Sequence, residues 1–144
     1  MNVRPRINRW TPSRRDLLFG DSLLNSLVQP HFVVEGTGVD EPIHGMPGIH
    51  QQSVDVLLET IKADAACGIK AVMLFGVVAK EHKDSEASHA SNRSSHLHRA
   101  VMEIKAAFGD DLVVMTDVCL CTATDHGHCG LVHDCLLYTS DAAD

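Results

Sequence analysis

The hydrophobic pattern changes period along the chain, and the changes mark out its elements. Residues 31–35, HFVVE, form a short β-branched and aromatic run that predicts a buried first strand, with Gln29-Pro30 keeping its approach extended. Residues 53–68 switch to a helical period. Ser53 is placed as the N-cap, Val54, Leu57, Leu58, Ile61 and Ala65 share one face, and Gly68 suits the position after the last turn. Residues 69–78 are almost continuously apolar, as a parallel strand covered on both faces requires, so the succession is a βαβ unit. A second helix is predicted over 95–108, with Leu97, Val101, Ile104 and Phe108 on one stripe and Gly109 behind it, and a third strand over 112–118.

The remaining stretches lack a clear period. Residues 1–13 are aperiodic and carry Pro5 and Pro12, which break any helix, so they read as an arm. Residues 16–28 predict a short helix through Leu17, Leu18, Leu23, Leu24 and Leu27, weakened by Gly20. A loop rich in Gly and Pro is expected over 36–50, with turn chemistry at Met46-Pro47-Gly48, and Glu35, Asp40 and Glu41 read as solvated or structurally paired carboxylates. Residues 79–94, AKEHKDSEASHASNRS, are polar and too long for a connector, which marks them as a segment that shapes or covers a site. Lys80, His82, Lys83 and His89 are candidate contacts there, although nothing in their spacing fixes a metal or a phosphate.

Charge narrows the function classes. The formal net charge is −7, yet Arg4, Arg6, Arg9, Arg14 and Arg15 all precede the first acidic residue, Asp16. An acidic body argues against nucleic-acid binding, and a basic arm alone is weak evidence for phosphate contacts. No apolar run approaches the roughly 18 residues of a membrane span. The expectation is a soluble cytoplasmic protein with no nucleic-acid or membrane partner. Five cysteines, two of them in C-x-C, fit thiols that bind metal in a reducing compartment better than a disulfide framework. Cys67 has no thiol neighbour in sequence and reads as a small packed residue.

The chemistry concentrates in LVVMTDVCLCTATDHGHCG, residues 112–130. An apolar run stops at Asp117, and Cys119, Cys121, Cys129, His126 and His128 follow at once. Three thiolates repel one another unless a divalent cation holds them, and zinc is the usual ion for such soft donors. Structural zinc sites are closed by four protein ligands, often as paired C-x-x-C, whereas this spacing gives three Cys with an open fourth position that a substrate can reach. A histidine as fourth ligand remains open at this point, and so does a set of reduced core cysteines. Asp117, a carboxylate at a strand end, is the candidate catalytic group, with a loop-capping role as its structural alternative.

The pattern D-V-C-L-C-x-x-T-x-H-G-H-C-G over residues 117–130 resembles the metal-binding segment of the porphobilinogen synthase (5-aminolevulinate dehydratase) family in its cysteine-rich, zinc-dependent form. FVVEGTGVDEPIHGMPG, residues 32–48, is similar to that family's first strand and loop, and AVMLFGV, residues 71–77, to its second strand. Thr122 and Ala123 stand where the family usually has Pro-Tyr or Glu-Tyr, and Asp125 where it usually has Ser.

The resemblance implies an α/β fold: the N-terminal portion, about three strand-helix units, of a TIM (β/α)8 barrel preceded by an extended arm. A whole barrel needs about 250 residues. The expected organisation is therefore an arm over 1–28, a partial barrel over 29–134, and a tail over 135–144, CLLYTSDAAD, which resembles a translated sequencing adapter. Cys135 is accordingly no ligand candidate. The implied reaction joins two molecules of 5-aminolevulinate into porphobilinogen, with loss of two waters, for tetrapyrrole and haem synthesis. The resemblance also implies Zn2+ on Cys119, Cys121 and Cys129, an additional Mg2+ site outside these residues, and a homo-oligomer, commonly an octamer, in which the N-terminal arm wraps a neighbour. It implies two Schiff-base lysines on later strands, and none of Lys62, Lys70, Lys80, Lys83 or Lys105 matches them. The chain by itself is then expected to be inactive and aggregation-prone. The alternative class is a non-enzymatic zinc-binding or thiol-redox module, in which His126 and His128 complete the coordination.

Overall fold

A computed structural model of the chain describes residues 6–132 and the backbone of 133 and of Leu136–Tyr138. The expectations for Arg4, Pro5, Cys135 and most of the 135–144 tail lie outside the described residues. The centre of the molecule is three parallel strands, β1 (Val28–Val33), β4 (Ala71–Gly76) and β5 (Val113–Thr116). β1 pairs with β4 from Val28↔Ala71 to Val33↔Gly76, and β4 pairs with β5 from Ala71↔Val113 to Leu74↔Thr116. Two short strands, β2 (Asp40–Pro42) and β3 (His50–Gln52), form an antiparallel pair that joins β1 through β3, giving the order β2-β3-β1-β4-β5. This is the parallel sheet of a partial barrel.

The helices follow the apolar period. α2 (Val54–Ala66) and α3 (His96–Phe108) pack on each other and on the parallel strands, enclosing Val33, Leu57, Ile61, Val72, Leu74, Ala100 and Ile104, each fully buried. Ser95 caps α3 by accepting the His98 N–H at 3.4 Å. Ser53 holds the N-cap position of α2 as expected, but its hydroxyl accepts from the Val39 N–H at 2.9 Å and donates to the Asp55 carboxylate at 2.6 Å. It ties the helix to the segment just before β2.

Four expectations are corrected. Pro12 does not break a helix; it starts one. α1 (Pro12–Phe19) has Pro12 in its first turn, where the missing N–H costs nothing, and Thr11 as N-cap accepting from the Arg14 N–H. The leucines of 23–26 form only a 3-10 turn beyond Gly20. The 36–50 segment is more than a loop, because β2 and β3 pair through their side chains: Gln52 Nε2 donates to Asp40 at 3.1 Å and Gln51 Nε2 to Glu41 at 2.9 Å. Asp40 and Glu41 are thus structurally paired, as read from the sequence. Cys67 lies exposed after the last turn of α2 and is not packed.

Candidate metal centre

Asp117 follows β5 at its carboxyl end and is held there by its N–H, which donates to Leu74 O on β4 at 3.1 Å. The chain then folds back in a compact loop. Ala123 and Thr124 donate their N–H groups to Leu120 O at 2.9 and 3.1 Å, and the buried Thr124 hydroxyl donates to His128 O at 3.1 Å. Gly127, at φ 75°, allows the reversal that lets the His128 N–H donate to His126 Nδ1 at 3.2 Å.

That fold converges the sulfurs. Cys119 Sγ lies 3.2 Å and Cys121 Sγ 2.9 Å from Cys129 Sγ, and all three sit within 4.8 Å of one another. Cys129 Sγ also accepts from the Leu120 N–H at 3.3 Å. Hydrogen bonds from the Cys121 and Cys119 thiols, with that N–H, draw Cys129 down to about 7. Cys121, whose proton is shared with Cys129 and then Cys119, is pushed up to about 12. Of this pair, Cys129 is the sulfur that gives up its proton first.

The donor set fits a soft divalent ion. A tetrahedral zinc with sulfur at about 2.3 Å keeps its ligand atoms about 3.8 Å apart, so the cluster needs to open by less than about 1 Å to admit it. Neither His126 nor His128 joins the three sulfurs within 4.8 Å. The two imidazoles instead stack on each other at 6.0 Å.

A cavity of 470 Å³ adjoins the centre, lined by Asp117, Val118, Cys119 and Leu120 on one side and by His89, His96 and Leu97 on the other. Asp117 itself lines this cavity. The 79–94 segment reaches the site: Asp84 bridges to Thr124, with Asp84 N–H on Ala123 O at 3.2 Å and Asp125 N–H on Asp84 O at 3.1 Å. Asp84 is itself fixed by the Ser88 and Glu86 N–H groups, which hold its carboxyl below the usual range. Lys80 and Lys83 make no contact with the sulfurs. His82 and His89 do something the sequence did not disclose. With His96 they surround Glu35 at the end of β1, a grouping from residues far apart in the chain and invisible to local spacing.

Parallel strands backed by helices, with a cluster of three cysteines past the carboxyl end of a strand, define the class: a partial α/β barrel with a candidate metal centre. The comparisons narrow it. The family model for delta-aminolevulinic acid dehydratase matches residues 2–143. Delta-aminolevulinic acid dehydratase of Helicobacter pylori is 42% identical over 112 residues, covering 77% of this chain and 34% of that protein. The Synechocystis sp. protein of that name is 38% identical over 129 residues, covering 89% and 38%. A crystal structure of delta-aminolevulinic acid dehydratase (porphobilinogen synthase) from Toxoplasma gondii, in complex with the reaction product porphobilinogen, superposes with TM-score 0.74 at 35% identity, covering 93% of this chain and 38% of that one. The chain belongs to the delta-aminolevulinic acid dehydratase family, and it spans 34% to 38% of the length of these relatives.

Proposed function

We propose that a protein carrying this chain condenses two molecules of 5-aminolevulinate to porphobilinogen with release of two waters, using zinc on Cys119, Cys121 and Cys129. The observation that carries the reading is the convergence of the three sulfurs just past the strand end, with Cys119 and Asp117 both lining the adjoining cavity. When bound, zinc supplies Lewis acidity that polarises a carbonyl or holds an amine. Cys119, Cys121 and Cys129 would hold the ion, and Cys119 would bring it next to the cavity. Asp117 accepts a hydrogen bond from the substrate ammonium or takes its proton. Leu97 and Val101 give the cavity an apolar wall on the helix side. His126 orients the loop through the His128 N–H.

The reading extends to assembly and location. Trp10, Phe19 and Leu23 are 78%, 63% and 79% exposed along residues 6–28, an apolar surface suited to a neighbouring subunit of a homo-oligomer, with the N-terminal arm as the contact. Among the described residues no helix is long and apolar enough to cross a membrane, in keeping with a cytoplasmic enzyme. Residues 1–28 as arm and 29–134 as barrel remain our division of the chain.

The test is turnover of 5-aminolevulinate by the full-length protein. Replacing Cys119, Cys121 and Cys129 with Ala is expected to remove one zinc and lower turnover about a hundredfold or more. Unchanged turnover after metal removal would overturn the reading.

A further inference from the structure

The cysteine centre leaves a second cluster unexplained. Glu35 Oε1, just past β1, lies 3.5 Å from His82 Nδ1, 3.8 Å from His89 Nε2 and 3.6 Å from His96 Nδ1. These separations are too long for hydrogen bonds, and His89 Nε2 and both ring nitrogens of His96 are buried with no partner at all. The His96 side chain is only 3% exposed and packs over Gly76, where an added Cβ would stand 3.6 Å from Nε2. Leaving three buried nitrogens without a hydrogen bond is costly to the fold. The rings are stacked, His82 on His89 at 5.2 Å and His89 on His96 at 6.3 Å, so the loop and the start of α3 hold them as an array.

Distances too long for hydrogen bonding suit a shared ion. Tetrahedral nitrogen and oxygen ligands at about 2.0–2.1 Å from zinc lie about 3.3 Å from one another, near the separations seen around Glu35. Glu35 Oε1, His89 Nε2 and His96 Nδ1 fall within 4.8 Å of one another. We propose that Glu35, His89 and His96 form a second divalent-metal site of the zinc class, distinct from the three cysteines, with the His82 ring stacked beside it on His89. Two imidazoles with one carboxylate select a zinc-type ion over magnesium. Its ion clips the end of β1 to the 79–94 segment and to the first turn of α3, and so stiffens the wall that the segment gives to the cavity through His89 and the Asp84–Thr124 bridge.

The experiment uses the full-length protein with Cys119, Cys121 and Cys129 all replaced by Ala, stripped of metal and reloaded with Zn2+ or Co2+ alone. Elemental analysis after gel filtration is expected to show one more ion per chain than in the same protein with Glu35→Gln and His89→Ala added. Cobalt in the site is expected to give visible bands without sulfur charge transfer, and zinc to raise Tm. Equal metal content in the two proteins overturns the site, whatever the cysteines do. His96→Leu supplies the buried test, since an apolar side chain suits that position. If that variant loses its circular-dichroism signature, the exposed Glu35→Gln change alone decides, with at least a tenfold loss of zinc affinity expected and no loss fatal to the proposal.

Discussion

At the scale of single residues, protons and metal compete for the same atoms. With Cys129 near 7 and Cys121 near 12, the metal-free protein offers one reactive sulfur of the pair at neutral pH. Iodoacetamide at pH 7.5 is expected to label Cys129 well before Cys121, and peptide mapping by mass spectrometry checks it; the reverse order would contradict the geometry. Zinc added first is expected to protect both. A different proton governs stability. His31, buried against α2, is held below the usual imidazole value of 6.5 by burial, while the Asp64 carboxylate at 3.1 Å, without hydrogen-bond alignment, opposes the shift. In the interval below pH 6.5 the unfolded chain binds more protons than the folded one, so this contribution is present above 6.5 and is lost as pH falls through the lowered value. The urea midpoint is expected to drop between pH 7 and pH 5, and His31→Leu is expected to flatten that drop.

At the scale of elements, the core is made by the two helices on the sheet, and their apolar faces carry most of the stability. Leu57 and Ile104 are fully buried, and either replacement by Ala is expected to cost about 2–5 kcal/mol in denaturant unfolding. Ser95→Ala, which removes only a cap, is expected to cost about 1 kcal/mol. The same physics explains what could be read beforehand. α2, α3 and β4 were legible because tertiary packing demands the periods that the sequence shows. β2 and β3 were not, since three polar residues have no period and are held by the cross-strand pairs of Asp40 and Glu41 with Gln52 and Gln51. Pro12 was misread because proline is hostile within a helix and welcome in its first turn. The cysteine centre was legible because all its ligands fall between 119 and 129, so local spacing reports it. Glu35, His89 and His96 meet only because β1 lies beside β4, a fact of topology that no window along the chain contains.

At the scale of the whole molecule, the sheet has two open margins. β5 ends the order with no neighbour on its far side, and β3 covers β1 only at Phe32 and Val33, leaving residues 28–31 unpaired on that side. The sheet's second face is also incompletely covered: Phe32 stacks on Phe75 at 5.3 Å, yet both rings and Met73 stay half-buried, while Val72 and Leu74 on the helix side are fully buried. The two-sided cover that the apolar run of 69–78 calls for is therefore only half supplied by these residues. A closed barrel pairs both margins and buries the second face in its interior. Unpaired edges beside half-covered aromatic rings invite pairing between chains. The isolated 144-residue chain is thus expected to elute from gel filtration as a concentration-dependent assembly with no turnover of 5-aminolevulinate. Light scattering on the column checks the first outcome and a porphobilinogen assay the second. A monomer stable at tens of micromolar would show that the open margins are shielded. Measurable turnover would show that Asp117 and the three cysteines need no later strand.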